Sequence, residues 1–343
     1  MNHQGNKLNH PRMEALIWEL SQLMGPDAKA EMFEKIFTDL ALIGTEISDL
    51  GDHKLIHKTL HELRESLKIF SPHRDKRKVA VFGSARVSDS HPNYKLALEL
   101  SQGLAQKGFQ ILTGAGGGIM EAANRGAGRE KSFGLNIKLP FEQSANPYIR
   151  DDPHLIEFKY FFTRKLMFIK ESSATVLLPG GFGTLDEGIE NITLFQTGKC
   201  MPRPIILLGH KDDPYWDRWI DFISSEMIEQ GFAAKNDLNI FRRAYSAQEA
   251  IDQVLNYYKV FHSLRYIGDL TILRLTQPLT PDHIEELNSE FQDIIVKGSL
   301  KPTPPNKQEL QKGEFLELPR VSLHFDKFRF GRLNQLIDAI NRA

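Results

Sequence analysis

Gly180, Gly181, Gly183, Thr184 and Glu187 are the residues of this chain best suited to chemistry on a phosphorylated metabolite. They lie in Pro179-Gly180-Gly181-Phe182-Gly183-Thr184-Leu185-Asp186-Glu187. An apolar run, Ala174-Thr175-Val176-Leu177-Leu178, precedes this stretch and a helical pattern follows it. The order reads as strand, glycine turn, helix. Glycines leave backbone N–H groups open at a helix N-terminus, where the dipole favours an anion. The spacing puts Glu187 in the first turn of the helix, with Glu190 at i+3 on the same face. A purely structural reading stands beside this one. Thr184-Leu185-Asp186-Glu187 is a T-x-x-E capping box, in which Thr184 caps the helix and Glu187 reaches back to the Thr184 N–H.

Two earlier loops have related composition. Gly83-Ser84-Ala85-Arg86 brings a hydroxyl and a guanidinium to the end of an apolar run, a pair suited to phosphate but also common in turns. Gly114-Ala115-Gly116-Gly117-Gly118 is either a tight strand-to-helix turn or a place for backbone approach to phosphate or ribose. Its spacing breaks the dinucleotide fingerprint, and no acid about twenty residues on ends a second strand. Arg164-Lys165 sits where a helix opens, a position the dipole disfavours for cations, which points to a ligand anion, a partner carboxylate or plain solvation. His53, His57 and His61 recur at four-residue steps, but the pattern is not H-E-x-x-H and reads as a solvated helix face. One cysteine, Cys200, builds neither a disulfide nor a thiolate-rich zinc site. No metal and no cofactor is expected.

These loops need elements to position them. From residue 78 apolar runs alternate with helical patterns. Val79–Phe82, Phe109–Thr113, Gly134–Leu139, Ala174–Leu178 and Pro204–Leu208 read as strands. Helices are expected near 92–107, after Gly118, over 163–172 and 184–198, and near 214–230 and 246–260. That alternation predicts an α/β fold, a Rossmann-like doubly wound parallel sheet, with ligands beyond the carboxyl ends of the strands. The three glycine loops all fall at such ends. Residues 1–74 carry only helical apolar spacing, as in Leu16, Leu20, Leu23 and Met24, and predict an N-terminal helical domain. The Rossmann-like domain spans 75–262. Residues 263–343 predict a small C-terminal α/β domain, with strands at 270–275 and 321–325, a helix from Pro281 to about Val296, a loop at 301–305 and a final helix through Ile340.

The chain has 343 residues, 41% hydrophobic and 25% charged, with a net charge of −1. No basic field points to nucleic acid, and no run approaches the ~20 apolar residues of a membrane span. Met1-Asn2-His3-Gln4-Gly5 lacks the pattern of a signal peptide, and the expected location is the cytoplasm.

Taken in order, Gly83-Ser84-Ala85-Arg86, Gly114–Gly118 with Ile119-Met120-Glu121, Arg164-Lys165 and P-G-G-F-G-T-L-D-E at 179–187 resemble the LOG ("lonely guy") family over about residues 78–260. Its signature is P-G-G-x-G-T-x-x-E with an upstream R-K. The resemblance implies a hydrolase, a nucleoside 5′-monophosphate phosphoribohydrolase that releases a free base and ribose 5-phosphate. It implies Arg164 and Glu187 as the catalytic pair. Substrate binding falls to Gly83, Ser84, Arg86, Gly116, Gly117, Gly118, Met120, Glu121, Lys165, Pro179, Gly180, Gly181, Phe182, Gly183, Thr184, Glu190 and Thr193. Arg164 is expected to keep Glu187 ionised. The partner is the nucleotide, AMP-like or cytokinin-type, and a homodimer or higher homo-oligomer is implied. Proteins of this kind are often labelled lysine decarboxylases, yet no residue pattern here supports a pyridoxal-phosphate enzyme. The competing reading is a nucleotide-binding sensor on the same fold, without turnover. The segments at 1–74 and after 262 are additions to the compact family members.

Overall fold

The computed structural model describes residues 10–25, 28–139, 144–313 and 315–343. Met1–Gly5 lies outside them. The chain divides into two compact units, Met1–Arg64 and Glu65–Ala343. The first is helical: α1 (Pro11–Gln22), α2 (Ala28–Glu46) and the start of α3 (Leu50–Phe70). Its apolar rows do not all turn inward. Leu16, Leu20, Leu23, Met24, Met32, Ile36, Leu40 and Leu60 are exposed, and Ile17 and Ala30 are among the few buried hydrophobics there.

The second unit opens with β1 (Lys78–Phe82), α4 (Pro92–Gln106), β2 (Gln110–Thr113), α5 (Ile119–Ala127), β3 (Ser132–Ile137) and β4 (Leu155–Phe158). It continues with α6 (Phe161–Glu171), β5 (Ala174–Leu177), α7 (Phe182–Gln196), β6 (Ile205–Leu208), α8 (Tyr215–Phe222), β7 (Phe241–Ala244) and α9 (Ala247–Tyr257). The seven strands form one sheet in the order β4-β3-β2-β1-β5-β6-β7. Every pairing is parallel.

Side chains of a strand alternate between faces. Val79 and Val81 of β1 therefore join Ile111, Val176 and Ile206 in a core covered by α4, α5 and α9. Phe82 points to the other face, where its ring meets Phe168 of α6 at 4.7 Å. There Thr175 donates to Asn191 of α7 at 2.9 Å. Covering both faces is why the central strands are mostly apolar. Strand order reverses between β1 and β5, the switch point at which such sheets bind ligands.

The rest of the chain forms β8 (Phe261–Ile267), β9 (Leu270–Leu275), α10 (Pro281–Glu290), β10 (Ile295–Pro302), α11 (Lys307–Lys312), β11 (Arg320–Phe325) and α12 (Phe330–Ile340). Its four strands make an antiparallel sheet, β10-β11-β9-β8. Glu309 is fully buried between Arg274, 2.7 Å away through Nε, and Arg320 at 3.3 Å.

Some sequence expectations fail here for physical reasons. The helix expected to reach Val296 ends at Glu290, and the expected loop at 301–305 begins as strand. β10 is an edge strand with a mostly exposed pattern, so its sequence carries no alternation to read. β7 hides in the same way, because Arg242 and Arg243 occupy its middle and pair with Asp338 and Asp217.

Candidate functional site

Two loops meet at the switch point. The Ser84 N–H after β1 donates to the Pro179 carbonyl after β5 at 3.1 Å, and the Ile119 N–H opening α5 donates to the Ser84 carbonyl at 3.0 Å. The junction leaves no room for side chains. A Cβ at Gly180 would overlap Thr184 Oγ1 and lie 2.9 Å from Ser84 N. One at Gly118, whose φ is +60°, would overlap the Ser84 carbonyl. A Cβ at Gly83 would strike Ile119 at 2.7 Å. These glycines are required by close approach.

Gly181 and Gly183 differ. A Cβ on either meets nothing within 4 Å, and both residues are exposed. Gly181 has φ −87°, which any residue can adopt. Neither strain nor packing accounts for glycine there, whereas open space over the N–H groups that start α7 suits an anion. Phe182 between them is 93% exposed.

The capping box does not form. α7 starts at Phe182, with Gly181 as its N-cap and no side-chain cap. The Gly181 carbonyl accepts from the N–H groups of Thr184 and Leu185 at 3.0 and 3.2 Å. Thr184 is buried against Gly180 instead of capping. Glu187 thus sits in the second turn, not the first, and its carboxyl is free of any capping duty. It is 4% exposed, and its Oε2 has no hydrogen-bond partner.

Burial raises the Glu187 carboxyl from an ordinary 4.5 to about 7, with the charges of Glu190 and Asp186 adding to the rise and those of Lys165 and Arg164 opposing it. The expectation that Arg164 keeps Glu187 ionised is corrected: desolvation outweighs the cations. α6 starts at Phe161, so Arg164 and Lys165 fall in its first and second turns. The Arg164 guanidinium lies under the β2 loop, with Nη2 2.6 Å from where a Gly114 Cβ would stand and Cζ 5.4 Å from the Phe168 ring centre. Lys165 Nζ lies 2.9 Å from Asp186, 2.9 Å from Glu190 and 3.7 Å from Glu187 Oε2. The cation that the dipole disfavours has partner carboxylates on α7.

Met120 lines the β2 loop beside Gly114 and Gly116. Glu121 Oε1 accepts from the Tyr94 hydroxyl at 3.5 Å, and its Oε2 is 4.0 Å from a Gly117 Cβ position. Arg86 is exposed, and its N–H donates to Ser84 Oγ at 3.2 Å. Thr193 is exposed six residues beyond Glu187 on α7, and its carbonyl accepts from Thr197. No contact brings Thr193 to the loops among the described residues. The histidine row belongs to α3 of the helical unit. His57 and His61 are exposed, and no group of metal ligands occurs among the described residues.

Several positioning residues have no motif. Asn146 is buried and donates through Nδ2 to the carbonyls of Ala115 and Gly116 and to Asn124 Oδ1, at 3.1, 3.0 and 2.9 Å. Thr113 donates to the same Asn124 oxygen at 2.8 Å and accepts from the Ala115 N–H at 3.0 Å. This network holds Ala115 at a φ of +62°. Tyr215 donates to the Gly180 carbonyl at 2.7 Å, tying the β6 loop to the β5 loop. Asn146→Ala strands buried acceptors and releases a strained residue. It is expected to lower stability by about 2 kcal/mol, read by urea unfolding.

A family model described as "Possible lysine decarboxylase" matches residues 120–254, from α5 to α9. The chain is 36% identical to a probable cytokinin riboside 5′-monophosphate phosphoribohydrolase, LOGL3, of Oryza sativa subsp. japonica, over 94 residues. That match covers 27% of this chain and 43% of the relative, less than half its length. It is 27% identical to LOGL5 of the same plant over 205 residues, 58% of this chain and 78% of the relative. Among solved structures it is similar to the molybdenum cofactor binding protein from the phototrophic bacterium Rippkaea orientalis. Identity there is 23%, over 52% of this chain and 95% of that one, with a TM-score of 0.37. By the matched family model and these relatives, the chain is similar to the LOG family over part of its length.

Proposed function

We propose that this protein hydrolyses the N-glycosidic bond of a nucleoside 5′-monophosphate, releasing the base and ribose 5-phosphate. The observation that carries the reading is the Glu187 carboxyl, buried and unbonded at Oε2, on the helix whose N-terminus holds the open glycine cradle. The phosphate seats over Gly181 and Gly183, against the first N–H groups of α7. It is remote from the bond that breaks, so its binding energy holds the sugar for reaction.

As the bond between C1′ and the base nitrogen breaks, its electron pair leaves with the base and positive charge builds on the sugar, as in glycoside hydrolysis. Ionised Glu187, itself buried, stabilises that charge. Water adds its oxygen to C1′ and gives a proton to Glu187, which passes that proton to the departed base and returns to the carboxylate. A carboxyl near 7 is suited to this exchange at neutral pH, since both of its forms are populated. Arg164 stays protonated, so it orients rather than donates. AMP and cytokinin-type nucleotides are the substrates to try first, because the relatives' names carry a cytokinin riboside monophosphate. Incubation with AMP, CMP, GMP and isopentenyl-AMP, followed by chromatography for free base, tests the reading. Tight binding with no base release from any of them would make the protein a sensor.

A homodimer or larger assembly belongs to this proposal. Phe161, Phe162 and Leu166 of α6 and Phe182 and Ile189 of α7 are exposed in the single chain, an apolar set on the two helices that carry the site. Light scattering is expected to give at least twice the 39.1 kDa chain mass, and Phe162→Glu to lower it. A wild-type monomer at micromolar concentration would contradict the assembly.

A further inference from the structure

We infer that Lys165 is a positioning residue, whose ammonium, fixed between Asp186 and Glu190, supplies the local field at the Glu187 carboxyl and does not touch the nucleotide. The inference concerns the site proposed above and rests on that reading for its kinetic consequences alone. The geometry stands without it. Lys165 Nζ is 2.9 Å from Asp186 Oδ2 and 2.9 Å from Glu190 Oε2, both on α7, while it extends from α6. An ammonium has three donors, and two of these carboxylates already engage it. Its side chain is 16% exposed, with little freedom to swing toward a phosphate. A lysine that serves as a phosphate contact has its ammonium turned to the ligand, but this one is turned to α7.

The same contacts place the charge 3.7 Å from Glu187 Oε2, too far for a hydrogen bond and close enough for strong Coulomb attraction. The groups that act on Glu187 are Arg164 and Lys165 from α6 and Asp186 and Glu190 from its own helix. The two acids on α7 oppose ionisation of Glu187 and the two cations favour it. Asp186 and Glu190 thus act in two ways. They repel Glu187 directly, and they hold the one lysine that offsets them. The burial of Glu187 raises the stakes, since a low local dielectric strengthens each of these charge interactions.

The arrangement predicts opposite displacements from two substitutions. Lys165→Met leaves Glu187 facing Asp186 and Glu190 with Arg164 as its remaining cation, and its titration moves up by about one pH unit or more. Glu190→Gln removes a repelling charge while Asp186 still holds Lys165, and the titration moves down. Lys165→Arg keeps the charge and stays near wild type. A merely structural lysine moves none of these in a charge-ordered way.

The experiment follows the Glu187 carboxyl by carbon-13 NMR of glutamate-labelled protein, assigned through Glu187→Gln, without any nucleotide. Wild type, Lys165→Met, Lys165→Arg and Glu190→Gln are titrated in parallel, and their amide spectra report whether each is folded. The expected result is an upward move in Lys165→Met, a downward move in Glu190→Gln and little change in Lys165→Arg. Where base release is present, kcat/KM against pH rises through the same values, and Lys165→Met loses about tenfold at pH 7 and recovers toward pH 9. An unmoved Glu187 titration in folded Lys165→Met would overturn the inference. So would a tenfold rise in KM, confined to phosphate-bearing ligands, with an unshifted pH profile. Failure of every nucleotide to release base sinks the proposed reaction but leaves the NMR result decisive for Lys165.

Discussion

Glu187→Gln is expected to abolish base release, by about a thousandfold or more, while making the protein more stable at pH 8. The two effects share a cause. The folded protein holds this carboxyl at about 7, against 4.5 when exposed, because it is buried. Below pH 4.5 the carboxyl is protonated in both folded and unfolded chains and costs nothing. Between 4.5 and 7 the folded state keeps a proton that the unfolded state has released, so stability falls as pH rises. Above 7 the folded state carries the full cost of a buried charge. At 1.36 kcal/mol per pH unit, the displacement amounts to about 3 kcal/mol. Glutamine keeps the shape and does not ionise. Its advantage over wild type is expected to be near zero at pH 4, to grow through pH 7 and to level at about 3 kcal/mol by pH 8. Urea unfolding of both proteins at the two pH values measures it. Equal stability at both would mean that Glu187 ionises without penalty, and that the site is not strained toward its chemistry.

The second large effect separates two adjacent glycines. Gly181→Val fills the open space over the α7 N-terminus without striking any protein atom within 4 Å of its Cβ. Thermal stability is expected to stay within a degree or two of wild type, while KM for the nucleotide rises about a hundredfold. Gly180→Ala does the reverse. Its Cβ overlaps Thr184 and crowds Ser84, forcing apart the loops of β1 and β5. A loss of about 1–3 kcal/mol is expected, from overpacking. If Gly181→Val binds nucleotide as wild type does, the cradle is not where the phosphate sits. Calorimetric titration with AMP reads this directly.

The central fold is legible because β1, β2, β5 and β6 are buried on both faces and so appear as apolar runs between helices. β4, β7 and β10 carry charges such as Glu157, Arg242, Arg243 and Lys297, because edge and outer strands meet water or ion-pair partners. Their sequences therefore resemble loops. In the site, glycines mark the three loops in sequence, and Lys165 of the R-K pair lies against Asp186, Glu187 and Glu190. Asn124, Asn146 and Tyr215 were not legible. Each is an ordinary polar residue whose role arises only when distant segments are brought together. Local spacing also misjudged Thr184 and Glu187. A T-x-x-E run looks like a cap wherever it begins a helix, but Gly181 starts this helix three residues earlier. The ionisation of Glu187 followed the same logic. Its charged neighbours are visible in sequence and its burial is not, and burial decides the outcome.

Cleavage of a bound nucleotide at its glycosidic bond is the central event. Purified protein incubated at pH 7.5 with AMP, CMP, GMP and isopentenyl-AMP, followed by chromatography, measures this. The expected result is free base and ribose 5-phosphate in equal amounts from at least one nucleotide, absent in Glu187→Gln. Recovery of every nucleotide intact, or base release undiminished in Glu187→Gln, would contradict it.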